Sequence, residues 1–204
     1  RAEVRPVSLA HLLKTLADIH QATAKQDAPR LALELPENDS LAVSGIEGRL
    51  AQVLRNLIAN AVSFSPSGGA LTLRAGRHEN GIRVEVEDEG PGIPEGKTEA
   101  IFERFRQVEG GAARRFGGTG LGLAIVKEFV DLHGGTVEAA EAPGGGALFT
   151  VTLPLLAPEG AEIQTMPSTL DEAIDRQALD ELRTPNKAAA LPPPALAANA
   201  PLVL

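Results

Sequence analysis

Phe116-Gly117-Gly118-Thr119-Gly120-Leu121-Gly122-Leu123 runs directly into Ala124-Ile125-Val126-Lys127. Glycines crowd this short loop, and an apolar helical pattern begins inside it. Without a Cβ the loop lets a ligand approach the backbone and tolerates positive φ. The helix it opens has N–H groups in its first turn that lack intrahelical partners and favour anions. Two readings stay open on this stretch alone: a cradle for phosphate, or a glycine-rich helix start that packs tightly and turns sharply. The choice depends on whether the rest of the chain supplies a metal ligand and a base-recognising group.

The first candidate lies upstream, where residues 48–64 read as a helix. Leu50, Val53, Leu54, Leu57, Ile58 and Ala61 make its buried stripe. Gln52, Asn56, Asn60 and Ser63 form a second stripe, one above another on a helix face. Asparagine is a mediocre helix former, so two stacked mid-helix cost stability without a structural gain. A solvated face is one reading, although Glu, Lys or Arg would be more usual there. Short neutral amides suit a metal ion or phosphate oxygens better.

The second candidate follows a hairpin. Residues 70–75 and 82–87 read as strands connected through residues 77–81. In the second, Ile82, Val84 and Val86 face one side and Arg83, Glu85 and Glu87 the other. That strand runs into Asp88-Glu89-Gly90-Pro91-Gly92-Ile93-Pro94. An acid at a strand end before an enforced turn is either a site or a plain turn.

The remaining elements are simpler. Residues 7–21 read as a helix capped by Ser8, with Leu9, Leu12, Leu13, Leu16 and Ile19 on one face. Residues 31–35 alternate as a strand, and residues 41–43 read as a second short one. Residues 98–105 read as a short helix, and the polar stretch 106–115 as a lid ahead of the glycine loop. The helix over 120–133 is closed by Gly134-Gly135. Strands over 136–139 and 147–153 flank a Pro143-Gly144-Gly145-Gly146 turn. After Pro154 prolines recur among Ala and polar residues, which reads as a flexible linker with an isolated helix over 169–182.

Composition narrows the function classes. The chain has 204 residues, a formal net charge of −8 and no Cys. That length suits one domain plus an appendage. The charge argues against non-specific nucleic-acid binding, and aromatics limited to Phe argue against a base-stacking platform. The lack of Cys excludes disulfides, cysteine-zinc sites and cysteine nucleophiles, and fits a reducing compartment. No apolar run approaches the ~18 residues of a membrane span. Arg1, Glu3 and Arg5 are followed by no apolar core of a signal peptide. A cytoplasmic location without membrane contact by this fragment is therefore expected. His11, His20, His78 and His133 show no metal-ligand grouping, and His133 suits a cap or dipole role at a helix end. Gly92-Ile93-Pro94-Glu95-Gly96-Lys97-Thr98 imitates a P-loop, but Pro91 stands where its first glycine is required and Pro94 lacks an N–H. The glycine loop is not a dinucleotide fingerprint either, because no strand leads into it.

Taken in order, Asn56-Leu57-Ile58-Ala59-Asn60-Ala61, Asp88-Glu89-Gly90-Pro91-Gly92-Ile93, Ile101-Phe102-Glu103-Arg104-Phe105 and Gly117-Gly118-Thr119-Gly120-Leu121-Gly122-Leu123 resemble one family. It is the ATP-binding catalytic domain of bacterial sensor histidine kinases, in the gyrase, chaperone, histidine-kinase and mismatch-repair ATPase superfamily. His133-Gly134-Gly135 and Phe149-Thr150-Val151-Thr152-Leu153-Pro154 match it as well. Each motif alone is weak, and their shared order is specific.

The resemblance implies an α+β fold, a two-layer sandwich of the Bergerat type. A mixed sheet is covered on one face by helices, and ATP lies between the helices and a lid. This domain would occupy residues 1–156, with 157–204 as a Pro/Ala-rich linker. Asn60 would ligate Mg²⁺ through its amide oxygen, and Asn56 would support the phosphate and metal region, with Ser63 and Phe64 beside them. Asp88 would accept a hydrogen bond from the adenine amino group, with Gly90, Gly92 and Ile93 keeping the turn close to the base. Gly118, Gly120 and Gly122 would present N–H groups to the phosphates, with Thr119 and Leu121 in the same loop. Phe102 and Phe105 would anchor the lid by packing.

The implied partners are a histidine on a separate dimerisation and phosphoacceptor domain, then a response regulator or receiver domain, in a two-component phosphorelay. The gyrase-like and chaperone relatives place a Glu near Asn56 as general base, and an amide cannot do that work, so fast hydrolysis is not expected. The family often has Lys or Arg where this chain has Ser63, which could shift phosphate contacts to Arg114, Arg115 or Lys127. Asp180-Glu181-Leu182-Arg183-Thr184-Pro185 imitates the phosphoacceptor segment with Asp in place of His, and is assigned no catalysis. Pro201-Leu202-Val203-Leu204 reads as a linker end or the first strand of a receiver domain in a hybrid kinase. The alternative function is a non-catalytic nucleotide-sensing or docking module.

Overall fold

Pro6 shapes how the chain enters the fold. It lacks an N–H and disfavours helix at the residue before it. Arg5–Ser8 therefore forms a strand, β1, where the sequence pattern reads a helix from residue 7. Val7 is buried opposite Val43 of β3 (Ala42–Gly45), and the two strands form an antiparallel ribbon. Ser8 still caps the helix, accepting a hydrogen bond from the His11 N–H, so α1 spans Leu9–Thr23. The structure, a computed structural model, describes residues 4–104 and 121–156. The expected lid, Phe105, Arg114, Arg115, Gly118, Thr119, Gly120, the tail helix and the segment 180–185 lie outside the described residues.

The main sheet has five strands in the order β2-β4-β5-β7-β6. These are β2 (Arg30–Glu34), β4 (Ala70–His78), β5 (Gly81–Asp88), β6 (Thr136–Glu141) and β7 (Ala147–Pro154). β2 pairs parallel with β4 and every other pair is antiparallel, so the sheet is mixed. β4 and β5 run closer together than the sequence suggests, leaving only Glu79 and Asn80 as the turn, with Glu79 at φ 49°.

Alternation makes one sheet face apolar. Leu71 and Leu73, Ile82, Val84 and Val86, and Phe149, Val151 and Leu153 are buried in a common core. Leu50, Val53, Leu54, Leu57 and Ile58 of α2 (Glu47–Phe64) belong to that core, as do Val126 and Val130 of α3 (Gly122–Leu132). The opposite face carries Arg74, which pairs with Glu34 at 2.9 Å and Glu87 at 2.5 Å. The helix read over 98–105 reduces to a single 3-10 turn, Ala100–Phe102. Its Phe102 meets Phe149 edge-on with ring centroids 6.4 Å apart.

His133 joins the far ends of two helices. It is only 5 % exposed and stands at the C-cap of α3. Its Nδ1 donates to the Phe129 carbonyl at 2.6 Å, and its Nε2 accepts from the Ile46 N–H at 3.0 Å. Ile46 is the N-cap of α2 and has no side-chain cap of its own, so the imidazole takes that role. Both nitrogens are thereby satisfied in the neutral ring. Burial pushes the imidazole below its ordinary range, the Phe129 carbonyl partly opposes this, and the Arg49 charge adds to the lowering.

Candidate functional site

The inward face of β5 reads Ile82, Val84, Val86 and then Asp88, all on the side facing the helices. A carboxylate thus continues an apolar row, and it is 2 % exposed. Its Oδ1 accepts the Gly90 N–H at 2.8 Å and the Ala147 N–H at 3.1 Å. Its Oδ2 is buried and has no hydrogen-bond partner among the described residues. Buried polar atoms are nearly always satisfied, so an unpartnered carboxylate oxygen makes Asp88 a candidate contact for a ligand donor. Burial raises the Asp88 carboxyl above its ordinary value, the N–H groups of Ala147 and Gly90 pull it back, and the nearby Glu87 charge adds to the rise.

Three backbone segments close on this carboxylate. A Cβ at Gly90 would stand 2.8 Å from both Asp88 Oδ1 and the carbonyl oxygen of Phe64, the last residue of α2. Gly92 has φ +75°, and a Cβ there would sit 3.2 Å from the Gly146 carbonyl oxygen. Gly146 has φ +93°, and its Cβ would fall 1.9 Å from the Asp88 carbonyl oxygen. Positive φ favours glycine at both positions, and at Gly146 the lack of space requires it as well. Ile93 packs against the core at the foot of the same loop.

The amide face of α2 lies toward the start of α3. Asn56 Nδ2 donates to the Gly122 carbonyl at 3.1 Å, tying the two helices together. Leu121 is the N-cap of α3 and Gly122 its first residue. A Cβ at Gly122 would only reach ordinary contact with Asn56, 4.0 Å from its Cγ. Asn60, one turn along from Asn56, is half-buried and makes no side-chain hydrogen bond among the described residues. Ser63 Oγ donates back to the Ala59 carbonyl at 2.7 Å within its own helix. Lys127 is held by Asp131 at 2.6 Å, one turn along α3.

Among the described residues no group of three or more His, Asp or Glu is placed to hold a metal. A Mg²⁺ ion commonly rests on one or two protein oxygens with phosphate and water completing its shell, and the Asn60 amide oxygen fits that donor set. Of the residues singled out by sequence, the structure brings Asp88, Gly90, Gly92 and the end of α2 together, and links Asn56 to Gly122. Gly118, Thr119 and Gly120 lie outside the described residues. Sequence reading missed Gly146 and Ala147. The signal available was a run of three glycines after Pro143, more than a plain hairpin needs.

Comparison with known proteins agrees with this geometry. Residues 45–157 match the family described as histidine kinase-, DNA gyrase B-, and HSP90-like ATPase. The sensor histidine kinase TmoS of Ectopseudomonas mendocina is 42 % identical over 163 residues, covering 78 % of this chain and 16 % of that protein. Hybrid signal transduction histidine kinase D of Dictyostelium discoideum is 42 % identical over 154 residues, 73 % of this chain and 10 % of that one. Among solved structures, the catalytic domain of histidine kinase ThkA superposes with a TM-score of 0.66 at 27 % identity, covering 76 % of this chain and 97 % of that one. Full-length ShkA in complex with AMPPNP gives a TM-score of 0.66 at 30 % identity, covering 78 % and 32 %. The chain thus spans only a small part of the two curated relatives.

Proposed function

The chain belongs to the histidine kinase-, DNA gyrase B- and HSP90-like ATPase family, as an ATP-binding catalytic domain of histidine-kinase type, and from that premise we propose that it presents Mg-ATP to a histidine on a separate phosphoacceptor domain. The domain is assigned to residues 1–156, with 157–204 as a linker. The observation that carries the reading is the empty Oδ2 of Asp88. An exocyclic amino group fills that acceptor, and a carbonyl at the same base position repels it. The AMPPNP in the ShkA complex supports the ligand class.

Each residue has one part. Asp88 reads the base edge through Oδ2. Asn56 fixes the start of α3 against α2 through the Gly122 carbonyl. Asn60 offers its amide oxygen to Mg²⁺. The ion, when bound, would neutralise charge on the phosphate oxygens. Asn56 is an amide and takes no proton from water at neutral pH, so the site favours holding ATP over hydrolysing it. Transfer then rests on positioning and charge stabilisation, which dominate phosphoryl transfer. The acceptor is the histidine of the parent kinase, and a response regulator or receiver domain takes the group next.

A second reading rests on Ser63, whose hydroxyl is spent on its own helix and brings no charge to the phosphates. On that reading the chain binds nucleotide as a docking module and transfers nothing. Titration of ATP with Mg²⁺ against the parent, Asp88→Ala and Asn60→Ala tests the first reading. We expect Asp88→Ala to lose adenine selectivity and Asn60→Ala to lose the magnesium dependence. Absence of binding at millimolar ATP would refute it. A transfer assay with an acceptor domain separates the two readings.

A further inference from the structure

The turn from β6 to β7 lies against the carboxylate at the end of β5. Ala142 N–H donates to the Gly146 carbonyl at 3.0 Å and Gly145 N–H to the Ala142 carbonyl at 2.9 Å, which closes the turn on itself. Gly146 sits so tightly on β5 that any side chain would strike the Asp88 carbonyl oxygen. On its other side, the Gly146 carbonyl is the nearest neighbour of the space beside Gly92. The turn is held from both directions, and it delivers the Ala147 N–H to Asp88 Oδ1.

That N–H has a geometric consequence. The carboxylate torsion of an Asp is broad and two-fold, so a single donor leaves the plane of the group loosely set. Gly90 is a local donor, two residues along the chain, and moves with Asp88. Ala147 comes from 59 residues away and from a different strand. Two donors from independent segments on one oxygen fix the plane, and leave the other oxygen facing away from both. We propose that Ala147, seated by Gly146, is a positioning residue for base selection: its N–H locks Asp88 so that Oδ2 alone meets the base. This inference rests on the reading of Asp88 as the adenine contact. It assigns the role to the main chain at position 147 and none to the methyl group.

The test compares ATP with inosine triphosphate, which carries a carbonyl where adenine has its amino group, across pH 5–8 on the full chain. Ala147→Pro removes the donor. Lactic acid in place of Ala147 also removes it, and keeps the backbone shape if the proline variant fails to fold. Ala147→Gly keeps the donor, and Gly145→Ala strains the same turn at φ +86° with nothing within 4 Å of the added carbon. We expect the ester variant to lose about tenfold in the ATP-to-ITP preference, the scale of one charge-assisted hydrogen bond. The low-pH loss of ATP binding should move to higher pH, because a donor that favours the ionised carboxylate is gone. Ala147→Gly and Gly145→Ala should keep the parent's preference within about twofold. A folded ester variant with the parent's preference and pH profile would overturn the positioning role alone. A parent that does not distinguish the two nucleotides would instead overturn the adenine reading, and the selection role with it.

Discussion

The two ends of α2 each meet a buried titratable side chain, and the two are built for different ends. At Glu47 the helix is capped by His133, which spends both ring nitrogens on protein partners. At Phe64, about 27 Å away by helical rise, Asp88 spends one oxygen on two N–H donors and leaves the other empty. Both residues are nearly inaccessible. Burial of a polar group therefore does not distinguish architecture from recognition in this fold. Between these two residues unspent hydrogen-bonding capacity does, because an unfilled buried acceptor is costly unless a ligand fills it.

The sharpest way to break this contrast is Asp88→Asn. The two N–H donors oblige the amide oxygen to take the place of Oδ1, which turns the NH₂ toward the base. Donor then faces donor with adenine, and donor faces acceptor with hypoxanthine. We expect ATP affinity to fall about 100-fold and ITP to become the preferred nucleotide. Calorimetric titration of both nucleotides decides it, and an unchanged order of preference would remove Asp88 from base recognition.

The complementary experiment is His133→Ala, which leaves the Ile46 N–H without an acceptor and opens a void. A loss of about 2–3 kcal/mol is expected in urea melts, with the nucleotide preference untouched. The pH dependence follows from the direction of the shift. Folded His133 binds a proton less readily than the unfolded chain, whose value is near 6.5. Between 6.5 and the lower folded value the unfolded chain holds the extra proton, so stability falls as pH drops through that window and levels off above it. Asp88 acts in the opposite sense: its carboxyl is raised in the fold, so above the ordinary carboxylate value the folded chain holds the extra proton, and stability falls as pH rises up to the folded value. Melts from pH 5 to 8 should show the histidine slope in the parent and a flatter profile in His133→Ala. Equal slopes would contradict the capping role.

Ser63→Lys carries the smallest expected effect. It frees the Ala59 carbonyl from the serine hydroxyl and adds a charge one turn beyond Asn60. A three- to tenfold gain in Mg-ATP affinity is expected at low salt, shrinking as salt screens it. An unchanged affinity would mean that residue 63 does not face the phosphates.

The contrast also explains what the sequence could tell. Asp88 was legible as an acid at a strand end before an enforced turn, whereas its place in the buried row of Ile82, Val84 and Val86 emerged only from the structure, because the strand runs one residue further than its alternation suggests. The helices were legible from apolar spacing, and Ser8 from its capping chemistry. β1 was hidden because its partner Ala42–Gly45 is remote and Val7 also suits a helix start. The role of Ala147 was hidden for a deeper reason. Its contribution is a backbone N–H, which every residue except proline carries, so no letter records it. The link from His133 to Ile46 crosses 87 residues and likewise uses a main-chain donor. The glycine loop, the most conspicuous stretch in the sequence, contributes only Leu121, Gly122 and Leu123 to the described residues.

The mixed pairing of the sheet sets an order for its assembly. β4 and β5 join across two residues, so little chain entropy is lost in closing them. β2 aligns with β4 only after some 40 intervening residues, β3 and α2 included, have been gathered in, as in the pair Arg30↔Ala70. Asp88 belongs to the quick pairing, opposite Leu71 on the rung farthest from the turn. Pulsed hydrogen exchange during refolding should protect β5 amides before those of β2, and the reverse order would refute this sequence of events. The Asp88 carboxylate is then aligned on its strand early, and Ala147 reaches it only when β7 docks, so on the proposed reading of Asp88 base selectivity would arise late, with the closing of the sheet.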